Sequence, residues 1–462
     1  MTADAASSIA GLGARLDRLR WGRMHRVVLL ALGAGWMFDS LEVNLVGSVI
    51  SPLDKHFQAD YAAGQFVIFS WLIGVMIGAL VGGRLADRFG RRRLFVLTLL
   101  WYVVFTVLTG LAPTLWAVIV LRFVTALGVG AEYPVISAAV TEFMPARYRG
   151  KASATVMNFW PLGAILAGLL AFFLLNVLAL SAAVSWRFGF ILGGVLALLV
   201  LFFRRRLPES PRWLASQGRY AEAEAIVRRM EEASGGAGPP ADTQVDAPPP
   251  TKVRNGVAEL MRRCPGRLAL GSVLNLSEAF GAYGINAFMP LIVLPAIHVA
   301  DSFIPVFYIL GSVGALIGGI VMSLLIDSLG RHKTIIWFYT TAGLAVLLLA
   351  GASSTGSVGL VLVAFMLSNG LTTGAGMAAY PVASELFPTE LRGIGVGFSV
   401  AVGRIGAAFG VTLITFVATH ASITAAYIVV VFLWLIGAGA MVIFSIRGGV
   451  DGAGRPLDVV AA

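Results

Sequence analysis

Charge is scarce in this sequence. Only 13% of its 462 residues are Asp, Glu, Lys or Arg, whereas 58% are hydrophobic. A soluble domain carries about 25% charged residues, so a water-soluble globular protein is excluded. Cysteine is almost absent; Cys264 stands alone and no internal disulfide can form. Acidic residues are few, 24 against 34 Lys and Arg, which leaves a net charge of +10. In a soluble protein that excess would point to nucleic acid. Here the basic residues crowd into particular short loops, the positive-inside pattern of membrane proteins. No nucleotide loop, metal-ligand cluster or nucleophile arrangement is present, so no enzyme, cofactor or metal is expected. What fills the chain is a series of long apolar runs, and an all-α, multi-pass membrane protein is the expected class.

The run Val27–Ile50 is about long enough to cross a bilayer. It carries Asp39 and Glu42, three apart and hence on one helical face. A charge at membrane depth costs several kcal/mol unless it is paired or faces water, so these acids mark a functional face. Gly33, Gly35 and Gly47 leave room for neighbouring helices. No small-residue cleavage site follows the run, so a removable signal peptide is not expected.

Eleven further spans follow: 64–83, 94–112, 115–141, 152–178, 188–203, 268–297, 302–326, 334–354, 356–384, 394–418 and 421–446. Arg-rich segments alternate with Arg-poor ones, which puts both termini in the cytoplasm and the protein in the inner (plasma) membrane. The expected domains are a cytoplasmic N-terminus (1–26), a first six-helix bundle (27–203), a cytoplasmic linker (204–267), a second bundle (268–446) and a tail (447–462). Within the linker, Tyr220 to Glu232 has the spacing of an amphipathic helix. Ser234 to Thr251 is rich in Gly, Pro and Ala, and disorder is expected there. Gly281, Gly284 and Pro290 are expected to break or kink the seventh span.

The two halves repeat each other. Glu142-x-x-Pro145-x-x-x-Arg149-Gly150 recurs as Glu385-x-x-Pro388-x-x-x-Arg392-Gly393, each after a Tyr-Pro pair. Asp87-x-x-Gly90-Arg91-Arg92 recurs as Asp327-x-x-Gly330-Arg331-His332. Two six-helix bundles in the same order, related by an axis along the membrane normal, describe a transporter with its site between them. Arg91 and Arg331 can reach the negative ends of nearby helices. Asp87, Asp327, Glu142 with Arg149, Glu385 with Arg392, and Glu209 with Arg212 can complete a charge network. That network is expected to gate the cytoplasmic side.

With these loops the chain resembles the major facilitator superfamily over essentially its whole length. Pro208-Glu209-Ser210-Pro211-Arg212 narrows the resemblance to the branch of sugar porters and organic ion transporters. Gly130-Ala131-Glu132-Tyr133-Pro134, Phe159-Trp160-Pro161-Leu162-Gly163 and Phe38-Asp39-Ser40 look most like bacterial niacin transporters and metabolite:proton symporters. The Gln-Leu-Ser signature of sugar porters is replaced by Asn275-Leu276-Ser277-Glu278.

The resemblance implies roles. Proton-coupled sugar porters pair a first-helix Asp with a fourth-helix Arg, the positions of Asp39 and Arg122. Glu42 is a rival proton carrier, and Glu132 either joins the coupling or braces its helix. In the organic ion branch, a basic residue at the place of Arg404 goes with anion carriers. Arg is also the side chain that grips a carboxylate with two bonds. Trp36, Trp160, Tyr283, Asn286, Glu278 and Tyr380 are the expected lining, together with Phe38, Phe159 and Phe280. The expected function is alternating-access transport of a small organic anion such as nicotinate, in symport with protons, by a monomer in the bilayer. A sugar or polyol symporter, an organic cation or drug transporter, and a transporter-like receptor are the alternatives.

Overall fold

The computed structural model describes residues 12, 15, 16, 18–59, 61–145, 148–205, 207–234, 256–387 and 391–449, with some side chains inside these helices left out. Its first half runs α1 (Arg23–Phe57), α2 (Tyr61–Phe89), α3 (Arg91–Gly110), α4 (Leu115–Phe143), α5 (Lys151–Val177) and α6 (Ala182–Arg204). Its second half runs α7 (Pro265–Phe288), α8 (Ile304–Leu329), α9 (Arg331–Ser354), α10 (Val358–Glu385), α11 (Arg392–His420) and α12 (Ile423–Ile446). Ten of the helices are long and apolar enough to cross a membrane on their own. The other two spans are α2, whose apolar part is Phe66–Gly82, and α7. The protein is therefore an all-α, multi-pass membrane protein of two six-helix bundles, as the apolar runs and the repeat predict.

Small residues set the closest helix approaches, since lipid supplies no hydrophobic drive between helices. On α2, a methyl at Gly74 would stand 2.5 Å from the Phe123 carbonyl oxygen, and one at Gly82 would stand 2.5 Å from the Ala131 carbonyl oxygen. The equivalent pair α8–α10 repeats the device with Gly314 against Met366 and Gly318 against Gly370. Between the halves, α2 packs on α11 and α5 packs on α8. Gly33, Gly35 and Gly47 of α1 do leave room, but for the side chains of Phe159, Arg204 and Tyr308.

Two expectations about helix ends are corrected. The first span was expected to stop at Ile50; α1 instead runs through Pro52 to Phe57, where Gln58 takes a left-handed conformation. Gly281 and Gly284 do not break α7. They admit the Trp434 indole and the Ile414 side chain, and the helix widens only at Met289–Val293, around Pro290.

The loops before α3 and α9 both turn on a glycine with positive φ, 88° at Gly90 and 84° at Gly330. That conformation is open to glycine at no steric cost. Beyond α6 the linker forms Pro211–Ser216, Tyr220–Ala233 and Gly256–Arg263. Ala223, Val227 and Met230 bury the apolar face of the second, in one cluster with Leu12, Leu16 and Leu19. The expected disordered stretch falls, except for Ser234, outside the described residues.

Candidate substrate site

A cavity of about 220 Å³ lies between the two bundles. Pockets for drug-sized ligands run to about 300–1,000 Å³, so this one suits a small solute. All seven residues expected to bind substrate line it: Trp36, Trp160, Glu278, Tyr283, Asn286, Tyr380 and Arg404. Helical spacing explains much of that. Glu278, Ala282, Tyr283 and Asn286 recur at three- and four-residue steps along one face of α7.

Arg404 is the cation at the centre. It is 8% exposed, and one guanidinium nitrogen donates to the Tyr283 hydroxyl at 2.7 Å. Its guanidinium also lies over the rings of Tyr133, at 5.1 Å, and Tyr283, at 5.4 Å. Tyr133 belongs to the first half, so this contact joins the two bundles. Glu278 faces the same cavity and makes no ion pair with Arg404 among the described contacts. The adjoining wall is aromatic: the Trp36 ring lies tilted against those of Tyr133, at 5.0 Å, and Trp160, at 5.3 Å. Ser40 ties α1 to α5 by donating to the Trp160 carbonyl oxygen at 2.5 Å. Asn286 donates to Asn369 at 3.4 Å, and its carbonyl oxygen accepts from Tyr308 at 2.5 Å.

Several lining residues were not foreseen, among them Tyr133, Asn44, Trp71, Tyr308 and Asn369. Tyr133 has a buried hydroxyl with no hydrogen-bond partner among the described residues. Its place beside Pro134 and Glu132 was the available clue. Phe38, Phe159 and Phe280 were expected in the lining and are elsewhere. Phe38 is packed in the first-half core, Phe159 fills the notch at Gly33, and Phe280 fills the one at Gly410.

Behind the cavity lies a buried charge cluster. Arg122 does not pair with Asp39; it is hydrogen-bonded to Glu42, and both side chains are almost wholly buried. The shared helical face of Asp39 and Glu42 put the second acid, one turn further out, opposite Arg122. Glu132 is braced by Arg204, whose two terminal nitrogens donate at 2.7 and 2.5 Å, and by the Thr98 hydroxyl at 2.7 Å. Arg204 was read as the first residue of the linker. It closes α6 instead and is only 2% exposed. Its place at the head of the run Arg204-Arg205-Arg206 disguised it as a topology signal.

With the fold and the site in view, the sequence profile of the sugar (and other) transporter family matches residues 38–449. This chain belongs to that family. Members similar to it include the niacin transporter NiaP of Acinetobacter baylyi, 30% identical over 86% of this chain and 88% of the relative. The inner membrane metabolite transport protein YgcS of Escherichia coli is 28% identical over 87% of each. Among solved structures, the proton:xylose symporter XylE superposes with a TM-score of 0.74 at 18% identity, covering 95% of this chain and 99% of XylE. At that identity the likeness shows the fold alone. The chain is thus a membrane-spanning transporter of the major facilitator fold, and not an enzyme.

On the linker side of this transporter, Arg91 donates to Glu142 at 2.9 Å and to the Ala86 carbonyl oxygen at 3.0 Å. Arg331 repeats the second contact on Ile326, also at 3.0 Å. Both arginines thus reach a helix C-terminus, as the dipole predicts. Glu209 accepts from the backbone nitrogens of Arg91 and Arg92, at 2.8 and 3.3 Å, capping α3 from the linker. These contacts tie the linker to the first half. Arg212 lies half-buried in Pro211–Ser216. The side chains of Asp87, Arg149, Asp327, Glu385 and Arg392 lie outside the described residues.

Proposed function

We propose that this transporter carries a small organic anion, with nicotinate or a similar aromatic monocarboxylate as the best fit, in symport with protons. The observation that carries the reading is Arg404: a buried cation facing the cavity, held by Tyr283 and, among the described residues, in no salt bridge with a carboxylate. A carboxylate entering the cavity can pair directly with this guanidinium, which offers it two parallel bonds. Trp36, Trp160 and Tyr133 provide flat apolar faces for a planar ring. The unpartnered Tyr133 hydroxyl and the Asn286–Asn369 pair offer further hydrogen bonds. The similarity to NiaP supports the same substrate class.

Asp39 and Glu42 are the proposed proton carriers, since both are buried acids of α1 beside the cavity. The Arg91, Glu142 and Glu209 contacts, with Asp87, Arg149, Arg212, Asp327, Arg331, Glu385 and Arg392, form the proposed cytoplasmic gate. Both termini are placed in the cytoplasm, and the working unit is a monomer in the inner membrane.

A second reading has one observation in its favour. Glu278 faces the cavity without a cationic partner among the described contacts, which suits an organic cation. Ligand-induced thermal stabilisation separates the readings. Nicotinate is expected to raise the unfolding temperature of the purified protein, while glucose and a quaternary amine leave it unchanged. Stabilisation by the amine alone would reverse the assignment.

A further inference from the structure

The charge cluster of the first half is odd in number. Among the described residues, Asp39, Glu42 and Glu132 face two guanidiniums, Arg122 and Arg204, and all five residues are at most 3% exposed. Arg122 is taken by Glu42 and Arg204 by both oxygens of Glu132. Among the described residues, Asp39 has no salt-bridged cation, and neither of its oxygens has a hydrogen-bond donor. The titratable groups around it are Glu42 on α1, Tyr102 on α3, Glu132 and Tyr133 on α4, and Arg204 on α6. Of these, Glu132 is within hydrogen-bonding reach. Two carboxylates are both acceptors, so they sit together in a dry interior only with a proton between them.

We propose that Asp39 is a carboxylic acid hydrogen-bonded to an ionised Glu132, and that Arg204 is the positioning residue that keeps the charge on Glu132. This deepens the proton-symport reading and rests on it: the transported proton belongs to an Asp39–Glu132 pair, and Arg122 serves Glu42. Moving the guanidinium from Glu132 toward Asp39 breaks the Asp39 O–H bond and forms an O–H bond on Glu132. The total charge is unchanged, so the exchange needs no isolated buried ion. Arg204 is well placed to drive it. A methyl on Gly35 of α1 would stand 2.8 Å from its guanidinium, and its backbone ends α6 where the linker begins. Displacement of the linker therefore acts on the cation that decides where the proton sits.

The test is infrared spectroscopy of the full-length protein in liposomes at neutral pH. The expected result is a carboxylic-acid C=O band that is lost in Asp39→Asn, shifted in Glu132→Gln and retained in Glu42→Gln. Arg204→Gln is expected to add a second acid band, because Glu132 without its cation takes up a proton, and Arg204→Lys to restore the single band. Labelling with 13C-aspartate assigns the band in the unmodified protein, so a variant that fails to fold does not leave the question open. A missing acid band, a band that survives Asp39→Asn, or one that ignores Glu132→Gln would overturn the assignment. Gradient-driven uptake by the unmodified protein tests the symport reading separately. Driven uptake without an aspartic-acid band defeats the pair alone, whereas the band without driven uptake defeats the coupling.

Discussion

At the scale of single residues, the deciding feature is which buried charges have partners. Glu42 and Arg122 satisfy each other in the interior. Removing one partner of such a pair leaves an uncompensated charge at a cost of about 3–5 kcal/mol. Arg122→Ala is therefore expected to lower the unfolding temperature sharply, and adding Glu42→Gln to recover part of the loss. Arg404 differs, because among the described residues it forms no salt bridge, and it faces the cavity. Losing a charge-assisted hydrogen bond costs about 1.5–3 kcal/mol. Arg404→Ala should thus weaken nicotinate binding by roughly tenfold to more than a hundredfold in a direct binding titration. Unchanged affinity would remove Arg404 from the site. These residues were legible because an ionisable group inside an apolar run stands out in sequence. Arg204 did not stand out, since it abuts Arg205 and the linker. Its role depends on where the last turn of α6 meets α4, a distance that sequence spacing does not contain.

At the scale of elements, helices were read from apolar length, and their packing from small residues. Their ends were harder. The first apolar run ends at Ile50, yet α1 continues through Pro52 to Phe57. Gly281 and Gly284 read as breakers, yet they are notches for Trp434 and Ile414. Only the partner helix tells these uses of glycine apart. Gly90 is a position where the requirement is strict. Its φ of 88° disfavours any side chain, and a methyl there would stand 2.5 Å from the Glu209 carboxylate that caps α3. Gly90→Ala is expected to cost about 1–2 kcal/mol of backbone strain and to loosen the linker. Gly439→Ala on α12 has open space around it. It should leave thermal stability unchanged or slightly raised, and an equal loss in both variants would contradict this account.

At the scale of the whole molecule, the repeated loops revealed two like halves, while the contacts that join them were invisible in sequence. The cation–π contact of Arg404 with Tyr133 is one, and the hydrogen bond from Asn158 to Ser323, at 3.2 Å, is another. The N-terminal segment adds a clamp, in which Arg15 bonds Glu224 at 2.7 Å and Glu231 at 2.8 Å on the linker helix. Hydrogen bonds from Arg15 hold both carboxyls below the usual glutamate range, with Arg228 assisting at Glu224. Their contribution is therefore complete above the ordinary glutamate value of about 4.3 and is lost as pH falls through the lowered values. The groups are partly exposed, so the clamp contributes only about 0–1 kcal/mol. A fluorophore on the linker helix should report easier undocking in Arg15→Ala at neutral pH, and the difference from wild type should vanish in strong acid. A difference that persisted there would show that Arg15 acts other than through these two carboxylates.

The central claim is that the cavity around Arg404 moves an organic anion together with a proton. The most direct measurement is uptake of radiolabelled nicotinate into proteoliposomes, with and without an inward proton gradient. Accumulation above equilibrium that requires the gradient is the expected result. Absence of nicotinate uptake by folded, inserted protein would contradict it.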